Sequence, residues 1–287
     1  MKRLPPPDLD ACEVYGTCVG EIRNPDLVAR FVNVVDDLLA LAQMYQVRAV
    51  ASELHLYPAS EWGNGSQIVI GGLTKTQFND LYSSYMVPAT RPARIYYDKL
   101  LNSAPLGKCP LCGFGQVSTL DHFMSKAYYP YFAVLPINLV PVCTDCNKKK
   151  AASELREHSH SLHPYFESLE IETGTWLYAK VVETSPATVT FSVTPPQPWP
   201  EKLCQRIRNH FSDLDLASRF AIESASEMAA LSDYMDMLGT SARIGEHLGM
   251  TARIERLHRR NSWKAALYEA LSHSAWYQGS GYKRPLI

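Results

Sequence analysis

Two cysteine pairs, Cys109-Pro-Leu-Cys112 and Cys143-Thr-Asp-Cys146, constrain this chain more than any other feature. A CxxC knuckle turns two thiols toward one point, and two knuckles supply four thiolates to a tetrahedral zinc ion. Thirty residues separate the pairs, more than a compact zinc ribbon holds, so a folded element is expected between them. Cys12, Cys18 and Cys204 stand apart and read as small hydrophobes or surface thiols. The opening segment MKRLPPPDLD lacks the apolar core of a signal peptide, and no apolar run approaches the ~20 residues needed to span a membrane. Cysteines in such a chain favour metal binding over disulfides, and a reducing cytoplasm is the expected compartment.

The cysteine-bearing stretch interrupts an otherwise helical pattern. Asn24-Pro25-Asp26 offers an N-cap, a proline at the first helical position and an acid in the first turn. Leu27, Val28, Phe31, Val35, Leu38 and Leu39 follow at helical spacing. A second helix is predicted around Thr76 to Met86, with Phe78, Leu81, Tyr82 and Tyr85 on one face, and a third from Arg91 to Leu101. Residues 106–166 are short of helical periodicity and rich in Cys, His, Asn, Pro and Gly. TWLYAKVV (175–182) and TVTFSVT (188–194) alternate apolar and polar residues, which predicts a hairpin, and TPPQPWP (194–200) reads as a proline-rich linker. From Glu201 on the pattern is helical again, with Leu214, Leu216, Phe220 and Ile222 as core candidates, and the tail YQGSGYKRPLI is expected to fray. The expected segments are 1–104 (helical), 105–166 (the cysteine-bearing core), 167–195 (hairpin) and 196–287 (helical).

Between the knuckles lie the residues with chemistry. A strand from Val117 to Phe123 carries Asp121 and His122 side by side. Neighbouring strand residues point to opposite faces, so the two share a site only if the strand ends or bends there. Asn138 precedes a second strand, Leu139 to Val142, and a helix starting near Thr144 carries Asn147 with Lys150 one turn on. A neutral imidazole, His122, suits the removal of a proton from water near neutral pH. Asp121 and the Asn147 amide are hard oxygen ligands, matched to Mg²⁺ or Mn²⁺. Asn138 can bond backbone or imidazole and so hold the base in one tautomer. Lys150, with Lys126, can sit against a phosphate oxygen. Together these are the parts that phosphodiester hydrolysis needs.

The pattern CxxC, Asp-His, Asn, CxxCNxxK resembles the HNH endonuclease family. That resemblance implies a β-hairpin packed on one helix, clamped by a structural zinc, with His122 as the first histidine of the signature and Asn138 as the middle asparagine. Asn147 stands where the last histidine or asparagine falls. The wider phrase, LDHFxxK with AVLPINLVPxCxxCNxxK, resembles HNH proteins encoded with antiphage-defence ATPases, such as the nuclease subunit of Septu-type systems. Met124-Ser125 departs from the expected Leu-Pro, which bears on loop rigidity rather than chemistry.

Plainer readings exist for several of these residues. Asn138 can shape a turn, Asn147 can cap a helix, and Lys148, Lys149 and Lys150 can be a solvated face. His158, His160 and His163 read as exposed histidines rather than a second metal site. Arg253, Arg256, Arg259 and Arg260 alternate with Glu246 and Glu255 as an ordinary charged helix face rather than a phosphate track. The formal net charge of −1 makes any nucleic-acid contact local or shared with a partner, with an ATPase implied by the resemblance. The expectation is an α+β fold, a ββα-metal core with structural zinc between mainly helical regions, acting as a Mg²⁺- or Mn²⁺-dependent endonuclease with DNA favoured over RNA. An RNA endonuclease, for instance one cleaving tRNA, uses the same site. A zinc-dependent binding module with a degenerate site is the alternative of another class.

Overall fold

Asn24 starts a helix as its chemistry predicts: its side-chain oxygen accepts from the backbone N–H groups of Asp26 at 3.0 Å and Leu27 at 3.2 Å, with Pro25 at the first helical position. The computed structural model describes residues 1–150 and 152–283. Its first helices are α1 (Ala11–Gly20), α2 (Pro25–Asn33) and α3 (Val35–Ala51). The predicted continuous run from Leu27 to Leu39 breaks at Val34, whose ψ of 6° leaves the helical range. Three valines and an asparagine, Val32 to Val35, are weak helix formers, and the break lets Phe31, Val34 and Leu38 all enter one core. A short antiparallel pair, β1 (Ile68–Ile70) and β2 (Leu73–Thr74), follows. Thr74 and Gln77 then close a reciprocal capping box on α4 (Lys75–Asp80), which widens into a π-helical turn over Leu81–Met86. Next comes α5 (Arg94–Leu101).

The cysteine-bearing stretch contributes β3 (Thr119–His122), β4 (Leu139–Val142) and α6 (Thr144–Lys150). The strands pair antiparallel, with Asp121 opposite Val140 and His122 opposite Leu139. Leu120 and Leu139 join the same buried cluster as Phe31, Phe78, Leu81 and Leu100. α5 packs against both strands and α6 against β3, so the helical segment before the cysteines is the floor on which the hairpin lies. Burying side chains of this size contributes roughly 1.5–3 kcal/mol each. That is the sequence-distant anchoring the hairpin needs, because an isolated two-stranded hairpin is marginal in water.

Chain contacts divide the molecule into two compact units, residues 2–167 and the residues from Ser168 on. The second unit holds α7 (Glu170–Thr173), the hairpin β5 (Leu177–Val182) and β6 (Thr188–Val193), and α8 (Glu201–Asp213), α9 (Leu216–Leu238), α10 (Ser241–His258) and α11 (Trp263–His273). α9 covers β6 and α11 covers β5. Buried Asn261 ties the unit together, accepting from the Trp176 and Leu177 amides and donating to the Ile171 and Gly174 carbonyls. Leu214, Leu216 and Phe220 are core residues as expected, but Ile222 is 64% exposed, because it falls on the outer side of α9. The expected fraying of the tail is corrected over Tyr277–Gly281, a π-helical turn with Tyr277 buried; residues 284–287 lie outside the described residues. Arg256 is held by Glu269 and the carbonyls of Leu177 and Arg260, a structural role. The observed fold is mixed, mostly helical with three two-stranded antiparallel sheets among the described residues, and no described helix is long and apolar enough to cross a membrane.

Candidate functional site

The four cysteine sulfurs, Cys109, Cys112, Cys143 and Cys146, are buried within 4.8 Å of one another. Cys112 Sγ and Cys143 Sγ lie 3.8 Å apart, and a tetrahedral site with Zn–S bonds of about 2.3 Å sets sulfurs about 3.8 Å apart. Local backbone builds this. The Cys109 amide donates to the Gly115 carbonyl at 2.8 Å, and the Gly113 amide donates back to the Cys109 carbonyl at 2.8 Å. Gly113 takes φ +88°, and Gly115 has no room for a Cβ, which would stand 2.7 Å from Cys143 Sγ. Amides of Gly115 and Cys146 point at the sulfurs of Cys112 and Cys143. Four thiolates this close coexist only around a cation, so the donor set fits a structural metal such as zinc.

His122 is the last residue of β3, which answers the facing problem posed by two adjacent strand residues. Its Nε2 lies 2.8 Å from the Ala133 carbonyl oxygen. A carbonyl only accepts, so Nε2 carries the hydrogen and Nδ1 holds the lone pair. The ring stands edge-on to Tyr82 at 4.4 Å. Burial lowers the imidazole to about 3, with the Ala133 carbonyl opposing and the Lys126 and Lys150 cations adding. His122 is therefore neutral across the physiological range.

Asp121 and Lys150, expected as a metal ligand and a phosphate contact, face one another. Lys150 Nζ donates to Asp121 Oδ2 at 2.6 Å and to the carbonyls of His122 at 2.8 Å and Phe123 at 2.9 Å. An ammonium has three donors, and all three are engaged, so this arrangement leaves Lys150 none for phosphate. Burial pushes the Asp121 carboxyl up, and Lys150 pulls it back. Lys126 is different: half-buried over the Tyr82 ring at 5.5 Å, it has no hydrogen bond or ion pair among the described residues, and desolvation lowers its ammonium. Asn147 is half-buried on α6, and its side-chain amide has no hydrogen-bond partner among the described residues.

Asn138 does not touch the imidazole. Its Oδ1 accepts from the Met124 amide at 2.8 Å and from the Tyr45 hydroxyl at 2.9 Å, and its Nδ2 donates to the Met124 and Phe132 carbonyls, both at 3.1 Å. The backbone, not Asn138, sets the His122 tautomer; Asn138 staples the loop on which Ala133 sits. His160 and His163 are buried, against the expectation of exposed histidines, while His158 is exposed. Tyr82 against His122, and Tyr45 and His163 beside Asn138 and Phe123, are the neighbours of the candidate site that pattern reasoning missed. The apolar company of His163 in Leu162-His163-Pro164-Tyr165-Phe166 was a usable sign of its burial. Among the described residues the four cysteines are the one group of three or more Cys, His, Asp or Glu ligands arranged for a metal.

The chain is similar to protein ea31 of Escherichia phage lambda, at 29% identity over 293 residues, with 96% of this chain and 98% of that protein covered. No protein-family model matches the chain, and no solved structure matches it.

Proposed function

We propose that the chain is an HNH-type endonuclease that hydrolyses phosphodiester bonds, DNA favoured, with β3, β4 and α6 as its ββα core. One observation carries the reading: a buried, neutral histidine ends a strand with Nε2 bound to a backbone carbonyl and Nδ1 left as a base. In this reading His122 takes the proton of the attacking water at Nδ1. A base this weak, whose conjugate acid sheds its proton so readily, gains strength as a phosphate's negative charge arrives beside it. Lys126, next to the imidazole and without a hydrogen bond or ion pair among the described residues, feels the Asp80 carboxylate at longer range and faces that charge. Asp121 and the Asn147 amide, which has no hydrogen-bond partner among the described residues, are the oxygen donors suited to Mg²⁺ or Mn²⁺, which would offset charge on the phosphate when bound. Lys150 is the resident counter-charge of Asp121 and holds α6 against β3. Nothing in the scheme uses a 2′-hydroxyl, so DNA is a permitted substrate.

The four-cysteine cluster holds the helix to the hairpin as a structural zinc site, and the setting beside an antiphage-defence ATPase follows from the sequence resemblance. Purified protein with Mg²⁺ or Mn²⁺ is expected to nick or linearise supercoiled plasmid, with an RNA panel run alongside. Cleavage of RNA alone moves the reading to an RNA endonuclease. Absence of cleavage of either polymer by folded, zinc-loaded protein overturns it in favour of a binding module.

A further inference from the structure

His163 lies outside the hairpin and helix in sequence, yet its buried ring stacks on Phe123, the residue after His122, at 3.9 Å between centroids. The hydrogen bonds around it have only one consistent direction. The Tyr165 amide donates to His163 Nδ1 at 3.2 Å, so Nε2 bears the ring hydrogen. An amide oxygen only accepts, so the Tyr45 hydroxyl donates to Asn138 Oδ1 at 2.9 Å, and its own oxygen receives His163 Nε2–H at 3.2 Å. Asn138 then donates to the Phe132 carbonyl at 3.1 Å. The next residue, Ala133, supplies the carbonyl that His122 Nε2 meets at 2.8 Å. Tyr45, His163 and Asn138 are all buried. Buried networks with every member satisfied favour one arrangement over its alternatives.

We infer that Tyr45 and His163 are positioning residues for His122: through Asn138 they hold the loop whose Ala133 carbonyl fixes the imidazole tautomer. The functional side of this rests on His122 being the general base; the tautomer itself does not. Removing the Tyr45 hydroxyl leaves His163 Nε2–H without an acceptor and Asn138 Oδ1 with one donor. Asn138 keeps its Met124 and Phe132 bonds, but without the Tyr45 donor its amide is held less firmly, the loop it staples loosens, and His122 gains access to the other tautomer.

Imidazole nitrogen NMR on the full chain reads this directly. In the wild type His122 is expected as a single tautomer protonated at Nε2, and the Tyr45 hydroxyl and His163 Nε2 hydrogens are expected to exchange slowly with water. Tyr45→Phe and His163→Phe are expected to show both His122 tautomers. Tyr57→Phe is the control, because that hydroxyl bonds the Leu41 carbonyl and its ring packs on Phe132 at 4.9 Å without joining the network; it should leave the tautomer single. In cleavage assays the two network variants should lose about tenfold in kcat with KM unchanged. A folded Tyr45→Phe or His163→Phe protein with His122 still in one tautomer overturns the inference. So does rapid exchange of both network hydrogens in the wild type, which is readable even if neither variant folds. Shifted tautomers in a protein that cleaves nothing uphold the positioning network and sink the nuclease reading instead.

Discussion

Lys150 Nζ stands 2.6 Å from Asp121 Oδ2 and gives its remaining hydrogens to the carbonyls of His122 and Phe123, so one ammonium bolts the end of α6 to the end of β3. Both side chains are largely shielded, at 19% and 13% exposure. Removing one partner of such a pair strands the other charge. Lys150→Met is therefore expected to destabilise by about 3–5 kcal/mol, and adding Asp121→Asn should recover part of it. Denaturant unfolding of the two variants at neutral pH checks this; equal stability of Lys150→Met and wild type would show that the pair is not structural.

The four-cysteine cluster should be sensitive to a single methyl group. A Cβ at Gly115 would stand 2.7 Å from Cys143 Sγ and 2.9 Å from Cys143 Cβ, and backbone on either side cannot move away cheaply. Gly115→Ala is expected to lower zinc affinity, and Cys109→Ser or Cys143→Ser to give insoluble or locally unfolded protein. Metal analysis should find about one zinc per wild-type chain, as four cysteine ligands imply. Folded, zinc-free wild type would sink the structural-metal reading.

His122→Ala should separate chemistry from folding. The cysteines and the Lys150–Asp121 pair stay in place, so the variant is expected to fold, load zinc and bind nucleic acid near wild-type affinity. Its cleavage should fall by at least ~10²-fold, the low end for a general base. A well-folded His122→Ala protein cutting at the wild-type rate is the outcome that removes His122 from the proposed mechanism.

Asn147 offers one neutral donor atom, and histidine can offer another. Asn147→His is expected to keep measurable cleavage with altered metal preference, and Asn147→Ala to lose most of it. The reading is tested by cleavage across a Mg²⁺ and Mn²⁺ titration, and two variants as fast as wild type would mean Asn147 is no ligand.

Acid should destabilise the fold through its buried histidines. Burial holds His163 well below its ordinary 6.5 and His122 down to about 3. Below 6.5 the unfolded chain takes protons that the folded one refuses, so this stability is complete above that value and is lost as pH falls. Each histidine shifts the unfolding equilibrium by up to about tenfold per pH unit. The Asp121 carboxyl, raised above its ordinary 3.8, acts in the opposite sense at the acid edge. Unfolding free energies between pH 7 and 5 should fall less steeply in His163→Gln than in wild type, and matching slopes would exclude His163 from the effect.

Local chemistry was readable in advance where neighbours along the chain decide it. Asn24 and Pro25 start α2 with their own cap, the alternation in 175–182 and 188–194 yields β5 and β6, and the two CxxC spacings bring four sulfurs together. The strand carrying Asp121 and His122 was also legible, though it is shorter than expected, ending at His122 itself. Val34 shows the limit: periodicity continued through it, and the break combines the weak helix propensity of Val32 to Val35 with a shared core of Phe31, Val34 and Leu38, which periodicity does not read.

The sequence by itself determined the four-cysteine ligand set, the helix caps and the strand pattern, because these are properties of short segments. Tertiary structure decided what each side chain touches. Lys150 meets Asp121 across a helix–strand contact, Asn138 takes its hydroxyl partner from Tyr45 in α3, and His163 is buried against Phe123. These pairings join residues far apart in the chain, and a side-chain donor chooses among acceptors by distance after packing. No local pattern encodes that distance.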